Sequence, residues 1–302
     1  MPFLKRGLQK NNMTITEIFA SEFLLRVVGR ALTVGILVSL CASMLGVCLV
    51  MKRYSMIGDG LSHVGFFALA LSAVAGVGAA YSMEFSIPVV VLAAVLILHM
   101  SRRTDGKING DAACAVVSTG SVAVGTLMYN FTGGRSADIC NSLFGSASVV
   151  TISDKDMWIS VLLSAAVILW FVCCAKRIFA VTFDETFASA AGIGTGVFSV
   201  LIAILTGVTI VVGMKMMGAI MISALVIFPP LAAMQVAKSF RGTVLLSAAM
   251  SVVCFVVGFF FACRFSLQTG AAVVTCDLVC FVIAVVYAAV RRRIGLIAAG
   301  RK

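Results

Sequence analysis

Long apolar segments separated by short clusters of charged residues occupy almost the whole chain. An α-helix needs about 20 apolar residues to cross a bilayer, and in lipid a segment must satisfy its own backbone polar groups, so these runs predict transmembrane helices. The predicted spans are 31–51, 60–80, 86–100, 112–131, 157–175, 196–213, 217–236, 243–263 and 271–290. Eight or ten spans are alternatives, because 86–100 is short and because one of 196–213 and 217–236, separated only by residues 214–216, could be a half-span or a broken helix.

Composition supports residence in the membrane. Of the 302 residues, 61% are hydrophobic and 12% are charged, which is too little polar surface for a water-soluble globule. We therefore predict an all-α integral membrane protein, a polytopic bundle of about eight to nine transmembrane helices. Its parts would be an N-terminal extension with an amphipathic segment (1–30), one transmembrane domain (31–293) and a short basic cytoplasmic tail (294–302).

The basic residues predict the orientation, since cytoplasmic loops of membrane proteins are rich in Lys and Arg. Lys and Arg total 23 against 12 acidic residues, giving a net charge of +11. Basic clusters fall on alternate connections: Lys52-Arg53, Arg102-Arg103, Lys176-Arg177, Lys238 with Arg241, and Arg291-Arg292-Arg293. This side is predicted to be cytoplasmic, with the C-terminus inside. The charge needs no nucleic acid to explain it.

Two features are missing from the sequence, a nucleotide-binding motif and a soluble domain. No stretch matches the G-x-x-x-x-G-K-[ST] loop that binds nucleotide phosphates, and no soluble domain interrupts the spans. If ATP drives this protein, the ATPase and any substrate receptor are expected to be separate chains, and no enzyme activity is predicted for this one.

Most of the ten cysteines lie inside apolar spans, where they are expected to act as small packing residues. An alternative is that Cys276 and Cys280, one helical turn apart beside Asp277, ligate a soft metal.

Asp59 and His63 are the ionisable pair that stands out. Four residues along a helix place two side chains one turn apart on the same face, so the carboxylate and the imidazole could hold one ion together. This combination suits zinc, manganese or iron(II). Two ligands are too few for tight binding, but a twofold dimer would supply four. The alternative is that Asp59 caps the helix and that His63 bonds a neighbouring helix.

Three other ionisable residues lie at or near span ends. Asp111 follows Gly110 and is well placed to cap a helix. Asp277 lies deeper in the last span, where it would pair with a basic residue or touch the transport pathway. His99, close to Arg102, fits an interfacial residue better than a ligand.

A short helix is predicted at about 183–191. Thr182 to Glu185 fits a capping box, and Gly192 can end the helix. Its apolar face, formed by Phe183, Phe187, Ala190 and Ala191, would dock in a groove of a partner protein or lie flat on the membrane.

The segment 217–230 is rich in small residues and contains Pro229, which lacks a backbone donor. It predicts a tightly packed span with a break near its cytoplasmic end.

These motifs, in this order, resemble the permease family of zinc- and manganese-type ABC importers. The matching pieces are G-D-x-L-S-H at 58–63, D-E-x-x-A-x-x-x-G at 184–192, G-A-x-x-x-S-A-L-x-x-x-P at 218–229 and, more weakly, S-L-F-G at 142–145, where x is any residue. The resemblance implies a multi-pass protein of the bacterial plasma membrane that imports a divalent metal, with no permanently bound cofactor.

The same resemblance implies partners and roles. The permease would pair with a second copy or a close paralogue, receive metal from an extracytoplasmic binding protein and be driven by a cytoplasmic ATPase. Asp59 and His63 would handle the metal. The short helix, with Asp184, Glu185, Phe187, Ala188 and Gly192, would couple to the ATPase.

Two other function classes remain open from the sequence. A secondary transporter would use Asp59, Asp111 and Asp277 as ion relays without an ATPase, although the two halves show no convincing inverted repeat. A membrane scaffold or receptor would leave the spacing of Asp59 and His63 to chance.

Overall fold

The computed structural model describes residues 22–77, 81–103, 110–131 and 154–299. They form the helices α1 (Glu22–Met51), α2 (Ile57–Val74), α3 (Ser82–Arg103), α4 (Gly110–Phe131), α5 (Asp154–Phe183), α6 (Glu185–Ala190), α7 (Thr195–Met217), α8 (Ala219–Val236), α9 (Phe240–Phe265) and α10 (Thr269–Ala299). Among these described helices, all but the six-residue α6 are long and apolar enough to cross a membrane. Within these described ranges, the predicted helical bundle and its nine spans are confirmed.

The boundaries differ from the prediction at both ends of the chain. Helix α1 begins at Glu22, so residues 22–30 continue directly into the first span. Helix α10 continues past residue 293 to Ala299. The earlier part of the predicted amphipathic segment and the SLFG motif at 142–145 lie outside the described residues.

Three expectations about irregular spans are wrong. Helix α3 has 22 residues and is not short. Helices α7 and α8 are both full spans, and they are separated at Gly218, whose φ of +92° suits a residue without a Cβ. Helix α8 also runs unbroken through Pro229 and Pro230.

Close packing against α1 accommodates the proline pair. Pro230 has no N–H to bond the carbonyl of Val226, four residues earlier. That carbonyl lies so close to Gly46 on α1 that a Cβ there would overlap it. Gly46 therefore lets α1 pack closely against α8 at the proline pair, where the helix continues although the sequence predicts a break.

The centre of the bundle is formed by α1, α2, α7 and α8, whose side chains are mostly buried. Helix α2 packs along α4 and also contacts α3, α7 and α8, while α9 and α10 pack together on the far side of α1 and α8. Buried hydroxyls join helices in this core: Ser251 on α9 donates to the Ser39 carbonyl on α1 at 2.9 Å. Such bonds stabilise helix pairs where no water competes.

The described cysteines are free thiols. Cys41, Cys48, Cys114 and Cys254 are buried in the helical core, as expected of packing residues, whereas Cys173 is exposed.

Candidate functional site

Asp59 and His63 lie one turn apart on α2, on the face next to α4. The Asp59 Oδ1 and His63 Nε2 atoms are 3.4 Å apart, and the side chains are 40% and 22% exposed, respectively. This separation is longer than the roughly 2.7–3.2 Å that is usual for an N–H···O hydrogen bond. The contact is therefore a long one between two partly exposed side chains.

The alternative in which Asp59 caps α2 is wrong. The helix begins at Ile57 with Met56 at the cap position, so Asp59 is already within the first turn. The second part of that alternative, a hydrogen bond from His63 to a neighbouring helix, is not found either. The buried Nδ1 atom of His63 has no hydrogen-bond partner among the described residues.

Two glycines on either side of Asp59 position it. A Cβ on Gly58 would lie 3.1 Å from Val226 on α8, and one on Gly60 would lie 3.2 Å from the carbonyl of Cys114 on α4. Both approaches are tight for a real side chain, so α2 fits between α8 and α4 only with small residues there. Between them, Asp59 is left partly exposed, with the Ser118 hydroxyl of α4 beside its carboxylate.

Asp111 does cap a helix, but not its own. It lies in the first turn of α4, and its Oδ1 accepts a bond from the backbone N–H of Met56 at 3.1 Å. The Ser55 hydroxyl donates to both carboxylate oxygens at 3.3 Å. Asp111 therefore satisfies a backbone donor at the start of α2 and ties that end of α2 to α4.

Replacing Asp111 with alanine is expected to lower the free energy of unfolding by about 1–2 kcal/mol, the usual cost of losing a capping residue. The thermal unfolding midpoint of the purified protein in detergent would measure the loss. Glu84→Ala is a matched control, because Glu84 is an exposed acidic residue in the first turn of another span, α3. Equal midpoints for the two variants would contradict this role of Asp111.

The predicted short helix exists as α6, but its N-terminal cap differs from the prediction. Thr182 is buried within α5, and the Asp184 side chain caps α6 by accepting a bond from the Phe187 N–H at 2.9 Å. The predicted Thr182–Glu185 capping box is therefore wrong. Gly192, with a φ of +79°, follows the helix end as predicted.

The apolar residues of this region divide into two sets. Phe183 at the end of α5 and Phe187 on α6 are 72% and 68% exposed, and Ala190 and Ala191 are also exposed. Ala188 is fully buried and holds α6 against the bundle. The exposed phenylalanines form the outward face that the sequence predicts.

An ion-paired cluster at α6 was not predicted by the sequence. The Lys52 ammonium, directly after α1, contacts Glu185 Oε1 at 2.7 Å and donates to Ser199 Oγ on α7 at 2.8 Å. Ser199 in turn donates to the same Glu185 oxygen at 2.8 Å. Residues 52 and 185 are 133 positions apart, so no local spacing in the sequence could have indicated the contact.

The remaining ionisable candidates are not brought together with Asp59. His99 is exposed near the end of α3, as expected of an interfacial residue. Asp277 is 2% exposed beside the Cys254 thiol of α9, and both its oxygens lack a hydrogen-bond partner among the described residues. Within the described ranges, no three His, Cys, Asp or Glu side chains gather in a metal-binding arrangement, which argues against a site at Cys276, Asp277 and Cys280.

The chain is similar along most of its length to a known protein family, to named relatives and to a solved structure. The model of a family described as ABC 3 transport family matches residues 24–288. The manganese import system permease protein ScaB of Streptococcus gordonii is 27% identical over 257 residues, or 84% of this chain and 88% of that protein. A "probable iron transport system membrane protein" of Haemophilus influenzae is 29% identical over 264 residues, covering 87% and 94%. The solved structure of PsaBC from Streptococcus pneumoniae in complex with Fab matches with a TM-score of 0.73 and 26% identity over 94% of both chains.

Proposed function

The chain belongs to the ABC 3 transport family, and from this premise we propose that it is the membrane-spanning subunit of an ATP-driven importer of a divalent transition metal. Manganese and iron are the favoured cargoes, because they are the metals named for two relatives. Zinc, whose ligand preferences the same residues also meet, is a third candidate.

The observation that carries the proposal is the pair Asp59 and His63. A carboxylate and an imidazole 3.4 Å apart, on one face of a span and partly open, match the oxygen and nitrogen ligands of first-row divalent metals. One chain offers two ligands, and a second copy would complete a set of four on a twofold axis. Ionisable side chains are costly within a span, which favours a role in transport over chance.

Weak, transient coordination suits transport, because an ion that is held too tightly does not leave. We infer three steps. An extracytoplasmic binding protein delivers the metal, Asp59 and His63 coordinate it briefly near the dimer axis, and ATP-driven movement of α6 rearranges the spans so that the metal is released inside. The metal is the cargo in this scheme and is not retained.

The docking of the ATPase is assigned to α6 and the adjoining end of α5. Two phenylalanines that are mostly exposed, Phe183 and Phe187, suit an apolar groove on a partner. Asp184 and Gly192 set the two ends of the helix, and Ala188 anchors it, so the phenylalanines are presented on a fixed element. The alternative is that α6 lies on the membrane surface.

Reconstitution in vesicles tests the proposed function. Vesicles that contain the permease, its ATPase and ATP are expected to accumulate Mn²⁺ or Fe²⁺ delivered by the binding protein, and vesicles without the ATPase are not. Accumulation that follows a proton or ion gradient and ignores ATP would instead support a secondary transporter. Competition among manganese, iron and zinc would identify the cargo.

A further inference from the structure

The cluster of Lys52, Glu185 and Ser199 joins three elements that are distant in sequence. Lys52 follows the last residue of α1, Glu185 is the first residue of α6, and Ser199 lies in the second turn of α7. The three contacts of 2.7, 2.8 and 2.8 Å close a triangle in which the ammonium donates to both partners and the serine donates to the carboxylate. Every contact therefore has a donor and an acceptor in the correct sense.

The Lys52 side chain is 9% exposed, whereas Glu185 is 43% exposed. Separating a nearly buried ammonium from its carboxylate leaves a charge without compensation, which is far more costly than breaking an exposed ion pair. Residue 52 is therefore expected to follow α6 when α6 is displaced.

On its other side, Lys52 is joined to the start of α2 by residues 53–56. Arg53 adopts a left-handed conformation with a φ of 61°, so the chain turns sharply between α1 and α2. Ser55 and Met56 are then held by Asp111 of α4. Asp59 lies in the first turn of the helix that follows. A short, anchored connection thus leads from the ion pair to the candidate metal ligands.

We propose that this cluster is the link through which movement of α6 reaches Asp59 and His63, with Lys52 as a positioning residue. The inference rests on the proposed function, since it assumes that an ATPase displaces α6. In this scheme Lys52 acts through Glu185 and not by contacting the metal or the ATPase.

The test compares Mn²⁺ uptake and ATP hydrolysis in vesicles that hold the permease, the ATPase and the binding protein. In Lys52→Met, uptake per ATP hydrolysed is expected to fall by at least about 10-fold, within the usual range of coupling between distant sites, while the ATPase still co-purifies. Glu185→Gln is expected to behave in the same way. The matched control is Lys238→Met, which removes an exposed lysine from the same predicted cytoplasmic side.

Exchanging the charges separates a positioning role from a merely structural one. The double variant Lys52→Glu with Glu185→Lys is expected to recover a large part of the uptake per ATP. An unchanged ratio in Lys52→Met, or loss of uptake in the single variants without recovery in the exchange, would overturn the inference. If the native complex itself fails to take up metal with ATP, it is the proposed function that fails, so the two failures are distinguishable.

Discussion

Replacing Asp59 or His63 with alanine is expected to lower metal uptake by at least ~10-fold, because the loss of groups that only support a metal ligand already costs about 10–100-fold. Asp59→Asn should have nearly the same effect, since it keeps the shape of the side chain and removes the charge. The complex should still assemble, because both side chains are partly exposed and carry little of the packing. Initial rates of Mn²⁺ uptake in vesicles, with ATPase content checked by co-purification, would measure the effect.

The chain contains a control for each substitution. It has two histidines, and the other one, His99, is exposed near the end of α3, so His99→Ala should leave uptake unchanged. Glu84→Ala does the same for the carboxylate, since Glu84 is exposed in the first turn of its span. Normal uptake by both Asp59→Ala and His63→Ala would remove the pair from the mechanism.

The spans were predictable because lipid imposes a simple requirement. Each crossing needs a long apolar segment whose backbone hydrogen bonds are satisfied internally, and such segments can be recognised directly in the sequence. The errors arose where packing changes the local rule. Pro229 and Pro230 lie inside a continuous α8 that packs closely against Gly46 of α1, and a pattern within one segment cannot reveal a neighbour's glycine.

The candidate site likewise contains contacts that the sequence predicts and contacts that it does not. Asp59 and His63 are four residues apart in one helix, so their proximity follows from helical geometry alone. The partners of Asp111 and Lys52 come from other helices, and linear spacing gives no indication of them. Thr182 is buried within α5, which continues past it to Phe183, and Asp184 is the residue that caps α6.

The second large effect concerns the outward face of α6. Phe187→Asp is expected to weaken ATPase binding by at least ~10-fold, because burying a phenylalanine is worth about 1.5–3 kcal/mol and each 1.4 kcal/mol corresponds to about tenfold in affinity. The new carboxylate would also have to lose its water on docking. Co-purification of the ATPase with the permease, together with ATP-dependent uptake, would measure the loss.

Thr186→Asp is the matched control for this prediction. It places the same charge on the neighbouring exposed residue, about 100° away around the helix. If α6 docks through its phenylalanines, Phe187→Asp releases the ATPase and Thr186→Asp has a much smaller effect, while Phe187→Leu, which keeps an apolar contact, retains most of the binding. If α6 instead lies on the membrane surface, the ATPase stays bound in all three variants. That result would assign the exposed phenylalanines to lipid and leave the ATPase contact to be sought elsewhere on the predicted cytoplasmic side.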